Sequence, residues 1–132
     1  MANSAVVTFP AGLNVLVQAF ANASFGQKVT ITPPSGSPAV FSGNGEGNVP
    51  LQLITAGFLK GGTNGSWPSF QAASGNYVVS VTANNQTTPV AATQSQSPTP
   101  GGGTAYLAQV SSEDAADMDW NDSVTLFTAW TA

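Results

Sequence analysis

Apolar and polar residues alternate along this chain with a period of two, in short runs cut by turn residues. Val6 to Phe9 forms the first run and Pro10-Ala11-Gly12 stops it. Leu13, Val15 and Val17 then alternate with Asn14 and Gln18, and Val29 and Ile31 alternate with Thr30 and Thr32 ahead of Pro33-Pro34. Leu51 to Phe58 reads as a further strand. In the run Tyr77 to Ala83, Tyr77, Val79, Val81 and Ala83 take one side, Val78, Ser80 and Thr82 take the other, and Asn84-Asn85 follows as a turn. Ala105 to Val110 and Val124 to Phe127 are the last two runs. Successive side chains of a strand point to opposite faces, so this period predicts half-buried strands. No segment carries an amphipathic period of 3.6, and 9 Pro with 14 Gly interrupt any long helix. The pattern predicts an all-β fold, a single domain over residues 1–132 built as an antiparallel β-sandwich of jelly-roll or Greek-key type. Ala92 to Gly103, with Pro98, Pro100 and three successive glycines, reads as a long polar surface loop. Too few residues follow it to build a second core.

Composition narrows the function classes. Charged residues make up 6% of the 132, against about 25% in an ordinary domain. Lys28 and Lys60 are the whole basic complement, too few to neutralise a phosphate backbone or to hold an anionic membrane surface. No apolar run is long enough to span a bilayer, so neither nucleic acid nor membrane insertion is expected. The chain has no Cys, which removes disulfides, thiolate catalysis and thiolate zinc sites, and no His, which removes the commonest metal ligand and general base. A Ser-His-Asp triad cannot be built. The expected class is a binding protein and not an enzyme. Met1-Ala2-Asn3-Ser4 lacks a basic leader and Pro10 and Gly12 break the apolar stretch that follows. The expectation is therefore no signal peptide, with a cytoplasmic location or export to the cell surface by a non-classical route.

One window departs from this neutral background. Five of the six acidic residues, Glu113, Asp114, Asp117, Asp119 and Asp122, fall between positions 113 and 122 with no basic residue near them in sequence. Like charges so close repel, and a bound hard cation is the simplest source of compensation. In an extended segment Asp117, Asp119 and Asn121 would project to one side, with Met118 and Trp120 on the other. A donor set made only of oxygen suits calcium, whereas zinc favours His or Cys. The spacing Asp-x-Asp-x-Asn also starts like an EF-hand loop, but Asp122 stands where that loop needs Gly and Thr128 where it needs Glu. A solvated acidic turn without an ion, and a pair of catalytic carboxylates, are the remaining readings of the window itself. Trp120 and Trp130 are expected in the core or an interface.

The run Ser112-Glu113-Asp114-x-x-Asp117-x-Asp119-Trp120-Asn121-Asp122, followed by a strand that ends in an aromatic, resembles the calcium-dependent fucose/mannose-binding lectins of Gram-negative bacteria, the fucose-binding lectin II family. Ala19-Phe20-Ala21-Asn22-Ala23-Ser24 is a second match in the right order. The resemblance implies two adjacent Ca²⁺ ions per chain, both coordinated by hydroxyls of one monosaccharide. Carried over by position, Glu113, Asp117, Asp119 and Asp122 would hold one ion, and Asn22, Asp119, Asn121 and Asp122 the other. The C-terminal carboxylate of Ala132, from a partner subunit, would complete the second site. The same carry-over gives Ala23, Ser24, Asp114, Asp117, Asp119, Asp122 and Ala132 as the residues around the sugar, and Ala23, lacking a hydroxyl, leans the choice toward mannose over fucose.

Two divalent ions would cancel the formal charge of −4, and neutral sugars bound through them need no acid, base or nucleophile. The expected partners are mannose- or fucose-containing glycans and further copies of the chain, as a homodimer or homotetramer. The alternative is a calcium-stabilised structural, adhesin or fibre module that does not coordinate sugar.

Overall fold

The computed structural model describes residues 2–62, 67–113 and 120–131. The described residues form ten strands and no helix: β1 (Ser4–Val7), β2 (Asn14–Thr32), β3 (Ala39–Pro50), β4 (Gln52–Thr55), β5 (Ser69–Gln71), β6 (Tyr77–Ala83), β7 (Gln86–Thr87), β8 (Val90–Pro98), β9 (Thr104–Ser112) and β10 (Ser123–Trp130). Every pairing is antiparallel, and the main path runs β1-β6-β2-β10-β9-β8. The antiparallel all-β fold expected from the period of two is the fold observed.

β2 organises the molecule. Its residues Leu16 to Ala21 pair with β10 and Gln27 to Thr32 with β6, while β5 and then β3 pair along its length. Ala21 pairs with both β10 and β3, and Val29 with both β6 and β3, so β10 and β6 share one edge of β2 in succession. The handover falls at Asn22–Gly26, where the pairing with β3 shifts register twice. Such bulges bend a strand and let it pass from one sheet to another. At the far ends of the path β1 approaches β8 and the sheet nearly closes. The Val90 N–H donates to the Ala2 carbonyl at 2.9 Å. The Gln94 side chain bridges the rest of the gap: its Oε1 accepts from the Thr8 N–H at 3.0 Å and its Nε2 donates to the Thr8 carbonyl at 2.8 Å.

The interior follows from the alternation. Val15, Val17, Ala19 and Ala21 of β2, then Val29 and Ile31 beyond the bend, are buried. They face Val79 and Val81 of β6, Val110 of β9 and Phe127 of β10 in one core. Phe9, Phe58, Phe70, Tyr77 and Phe127 form an aromatic plug, with Phe70 and Tyr77 centroids 4.8 Å apart and Phe9 and Phe70 meeting edge to face at 6.0 Å. The Tyr77 hydroxyl reaches out of this plug to accept the Ala73 N–H at 2.9 Å, which satisfies its polar end.

One sequence expectation is corrected. The polar loop expected over Ala92 to Gly103 is mostly strand: β8 pairs with β9 from Val90↔Ser112 to Pro98↔Thr104, and only the turn that follows is loop. Its Ser, Thr and Gln side chains are largely exposed, so no apolar alternation marks it, and Pro98 is tolerated because it ends the strand. β3 and β8 are thus both strands that the pattern of side chains does not reveal. Trp130 is 63% exposed in this chain, which removes it from the core and leaves the interface part of its expectation standing.

Candidate functional site

The acidic segment is the connection between β9 and β10, and the two strands close together beneath it. Ser112 pairs with Ser123, and their hydroxyls share a buried hydrogen bond of 2.6 Å. One step outward the Asp122 N–H donates to the Ser112 carbonyl at 3.2 Å, and the Glu113 N–H donates to the Pro89 carbonyl at 3.3 Å. Glu113 and Asp122 are therefore brought side by side by the register of the hairpin. Both are buried, at 4% and 6% exposure. Glu113 Oε2 accepts the Trp120 N–H at 3.1 Å, which ties together the two described residues on either side of the acidic segment. Trp120 sits at φ +56, in the left-handed region that a bulky residue seldom adopts. The alternation expected of Asp117, Met118 and Asp119 lies outside the described residues.

Asn22 meets this hairpin at the bend of β2. Its N–H donates to the Asp122 carbonyl at 2.9 Å. Its side chain turns to β3 instead: Oδ1 accepts the N–H groups of Gly47 at 3.1 Å and Asn48 at 2.6 Å, and Nδ2 donates to Asn48 Oδ1 at 2.7 Å. Gly47 and Asn48 both have positive φ, +87 and +59, the conformation that Gly and Asn accept most readily. Asn22 thus pins three segments together, and it faces the acidic segment with backbone. Ala23 is buried at 5%. Ser24 is exposed, and its carbonyl accepts Asn44 Nδ2 at 3.1 Å.

Of the residues expected to hold metal, the structure brings together Asn22, Glu113 and Asp122, with exposed Asn121 beside them in sequence. Of those expected around the sugar it places Ala23, Ser24 and Asp122 at the same corner. Asp114, Asp117, Asp119 and Ala132 lie outside the described residues. The donors present fit a hard cation: two carboxylates and two Asn, all oxygen ligands. Ionised carboxylates buried together are costly without positive charge or hydrogen bonds to offset them. The sequence reading missed one residue of this corner, Phe25. It stands next to Ser24 and is 48% exposed. Only its position after Asn22-Ala23-Ser24 could have drawn attention to it.

Comparison with known proteins places this arrangement. The profile of fucose-binding lectin II (PA-IIL) matches residues 7–131. A lectin of Chromobacterium violaceum, solved in complex with alpha-methyl-fucoside, is 31% identical over 93% of each chain with a TM-score of 0.68. The high-affinity mannose-binding lectin of Ralstonia solanacearum shares the fold at 24% identity, 93% coverage of each chain and a TM-score of 0.69. The C-terminal domain of the BC2L-C lectin from Burkholderia cenocepacia shares it at 22% identity, covering 93% of this chain and 92% of that one, with a TM-score of 0.68. A search of the curated proteins returned no match. A match over nearly the whole length, on a chain whose acidic hairpin meets the bend of its longest strand, is decisive: the chain belongs to the fucose-binding lectin II family, a family of carbohydrate-binding proteins and not of enzymes.

Proposed function

We propose that this protein is a lectin that binds a monosaccharide, mannose in preference to fucose, through two calcium ions held at the acidic hairpin. The observation that carries the reading is the burial of Glu113 and Asp122 side by side against the bend of β2. Two carboxylates in that position favour a multivalent cation. The family adds its weight, as do relatives described with a fucoside and as mannose-binding. In the proposal Glu113 and Asp122 are anionic ligands, Asn121 adds a neutral oxygen, and Asn22 contributes backbone because its side chain is engaged by Gly47 and Asn48. Asp117 and Asp119 complete the set, with Asp114 and Ser24 as hydrogen-bonding partners of the sugar. Bound calcium would supply positive charge on which neutral hydroxyls replace water.

The chain's own work is to hold the oxygens in place. The serine pair under the hairpin, the Trp120 N–H on Glu113 and the Asn22 N–H on the Asp122 carbonyl all do this. Ala23 brings no hydroxyl to the corner, the basis for preferring mannose. A homodimer or homotetramer is part of the proposal, since several sites on one assembly would add avidity for glycan-covered surfaces.

Chromatography on mannose-agarose tests the reading. Retention in calcium and complete release by EDTA is the expected result. Retention that persists in EDTA would sink the calcium mechanism. Calcium-dependent stabilisation without retention on mannose or fucose would favour the structural module instead.

A further inference from the structure

The corner that carries the acidic hairpin adjoins a groove of about 250 Å³ whose lining includes both Glu113 and the exposed Phe25. Asn84, Gln86 and Thr87 of the β6–β7 hairpin also line it. Its lining combines one aromatic ring, amides and hydroxyls with the apolar Ala83 and Pro89, and Glu113 is its charged member. A pyranose has the matching chemistry, with an apolar C–H face that lies on an aromatic ring and hydroxyls that bond amide and hydroxyl groups.

A single exposed aromatic needs no explanation by itself. Phe25 differs because its backbone is fixed. The Phe25 carbonyl accepts Gln27 Nε2 at 3.2 Å, and the carbonyl of Gly26 accepts the Asn84 N–H at 2.9 Å. Asn84 and Asn85 have φ of +51 and +65, the paired left-handed residues of a tight two-residue turn whose twist matches its strands. The Thr88 N–H and hydroxyl both donate to the Val81 carbonyl, at 3.0 and 3.1 Å. The backbone that carries the ring and the hairpin are therefore tied to each other before any ligand arrives, which lowers the ordering cost of binding.

We propose that the groove between Phe25 and Glu113 is an extended sugar subsite. It takes the second pyranose of a glycan whose first residue occupies the acidic hairpin, and Phe25 is its stacking platform. This inference rests on the calcium-and-sugar reading above, and it makes the protein a reader of linkage as well as of sugar type.

Calorimetry in calcium tests it, with methyl α-mannoside, methyl α-fucoside and sets of α-linked mannobioses and fucosylated disaccharides as probes. The wild type should bind at least one disaccharide more tightly than the matching monosaccharide. Phe25→Ala should narrow that ratio about fivefold, the loss expected for uncovering part of one aromatic face, and Phe25→Trp should keep it. Disaccharides that bind no better than monosaccharides would overturn the subsite, as would an equal ratio in Phe25→Ala. A ratio lost in Phe25→Trp as well would overturn stacking as its basis. If the wild type binds none of these sugars in calcium, the calcium-and-sugar reading fails and the subsite falls with it.

Discussion

β9 carries a hairpin at each end, and the two are made of opposite materials. Toward β8 the turn is neutral and satisfies itself. The Thr99 N–H donates to the Gly103 carbonyl at 3.0 Å, the Gly102 N–H returns to the Thr99 carbonyl at 3.1 Å, and Thr99 Oγ1 accepts the Gly103 N–H at 3.0 Å. The turn is also tied to the end of β10: the Thr104 N–H donates to Thr131 Oγ1 at 2.8 Å and the Thr131 N–H to the Thr104 carbonyl at 2.9 Å. Gly103 lies so close to the Thr131 carbonyl that a β-carbon would collide with it. Toward β10 the same strand enters a segment with five carboxylates, two of them buried at its base. A turn whose polar groups are paired internally has little to offer a ligand. A turn that collects like charges under partial burial gains most from a cation supplied from outside.

Calcium should separate the two ends, and Glu113→Gln should give the largest effect. In the wild type an ion at about a hundred times its Kd adds about 2.7 kcal/mol to stability. Urea unfolding should show that gain shrink or vanish in Glu113→Gln. Without calcium the order should invert, because a neutral amide beside Asp122 removes a repulsion and its oxygen can still accept the Trp120 N–H. A variant that keeps the full calcium gain would show that Glu113 is no ligand.

Ser123→Ala comes next. It leaves the buried Ser112 hydroxyl without the partner at 2.6 Å, a loss of about 1–3 kcal/mol. The loss should be similar with and without calcium if the serine pair only supports the hairpin, and a loss confined to the calcium-bound protein would assign the pair to the ion site. Thr99→Ala, at the neutral end, should cost about 1 kcal/mol and leave retention on mannose-agarose unchanged. A defect in sugar binding would show that the two ends of β9 are coupled.

Legibility in the sequence varied with what each strand packs against. β6 matches the alternating run at Tyr77–Ala83 residue for residue, because one face is buried on the core and one is not. β9 and β10 were readable only as apolar runs: in β10 Ser123 and Thr125 are buried while Val124 and Leu126 are half-buried, and Leu107 of β9 is exposed. β3 and β8 were not: Ser42-Gly43-Asn44-Gly45-Glu46-Gly47-Asn48 and Thr93-Gln94-Ser95-Gln96-Ser97 carry little apolar alternation. These stretches are strands because β2 and β9 offer them backbone partners. In the site, the carboxylates of the acidic window and the Asn22-Ala23-Ser24 segment were visible as residues. The role of the Asn22 side chain was not, since it is set by Gly47 and Asn48, 25 and 26 positions away. Phe25 was passed over because its meaning depends on Asn84 and Glu113, which come to it only through the fold.

The sequence by itself determined the strand-built architecture and the chemistry open to the site. A period of two must send one face of each strand inward, and a chain without Cys or His has chiefly oxygen atoms to offer a metal. Only the tertiary structure decided that Glu113 and Asp122 are buried together, that Asn22 meets Asp122 through backbone and that Phe25 and Glu113 line one groove. The first follows from the register of β9 on β10; the other two depend on where β2 leaves β10 for β6. That handover is a pairing between distant segments, and no local pattern of residues encodes it.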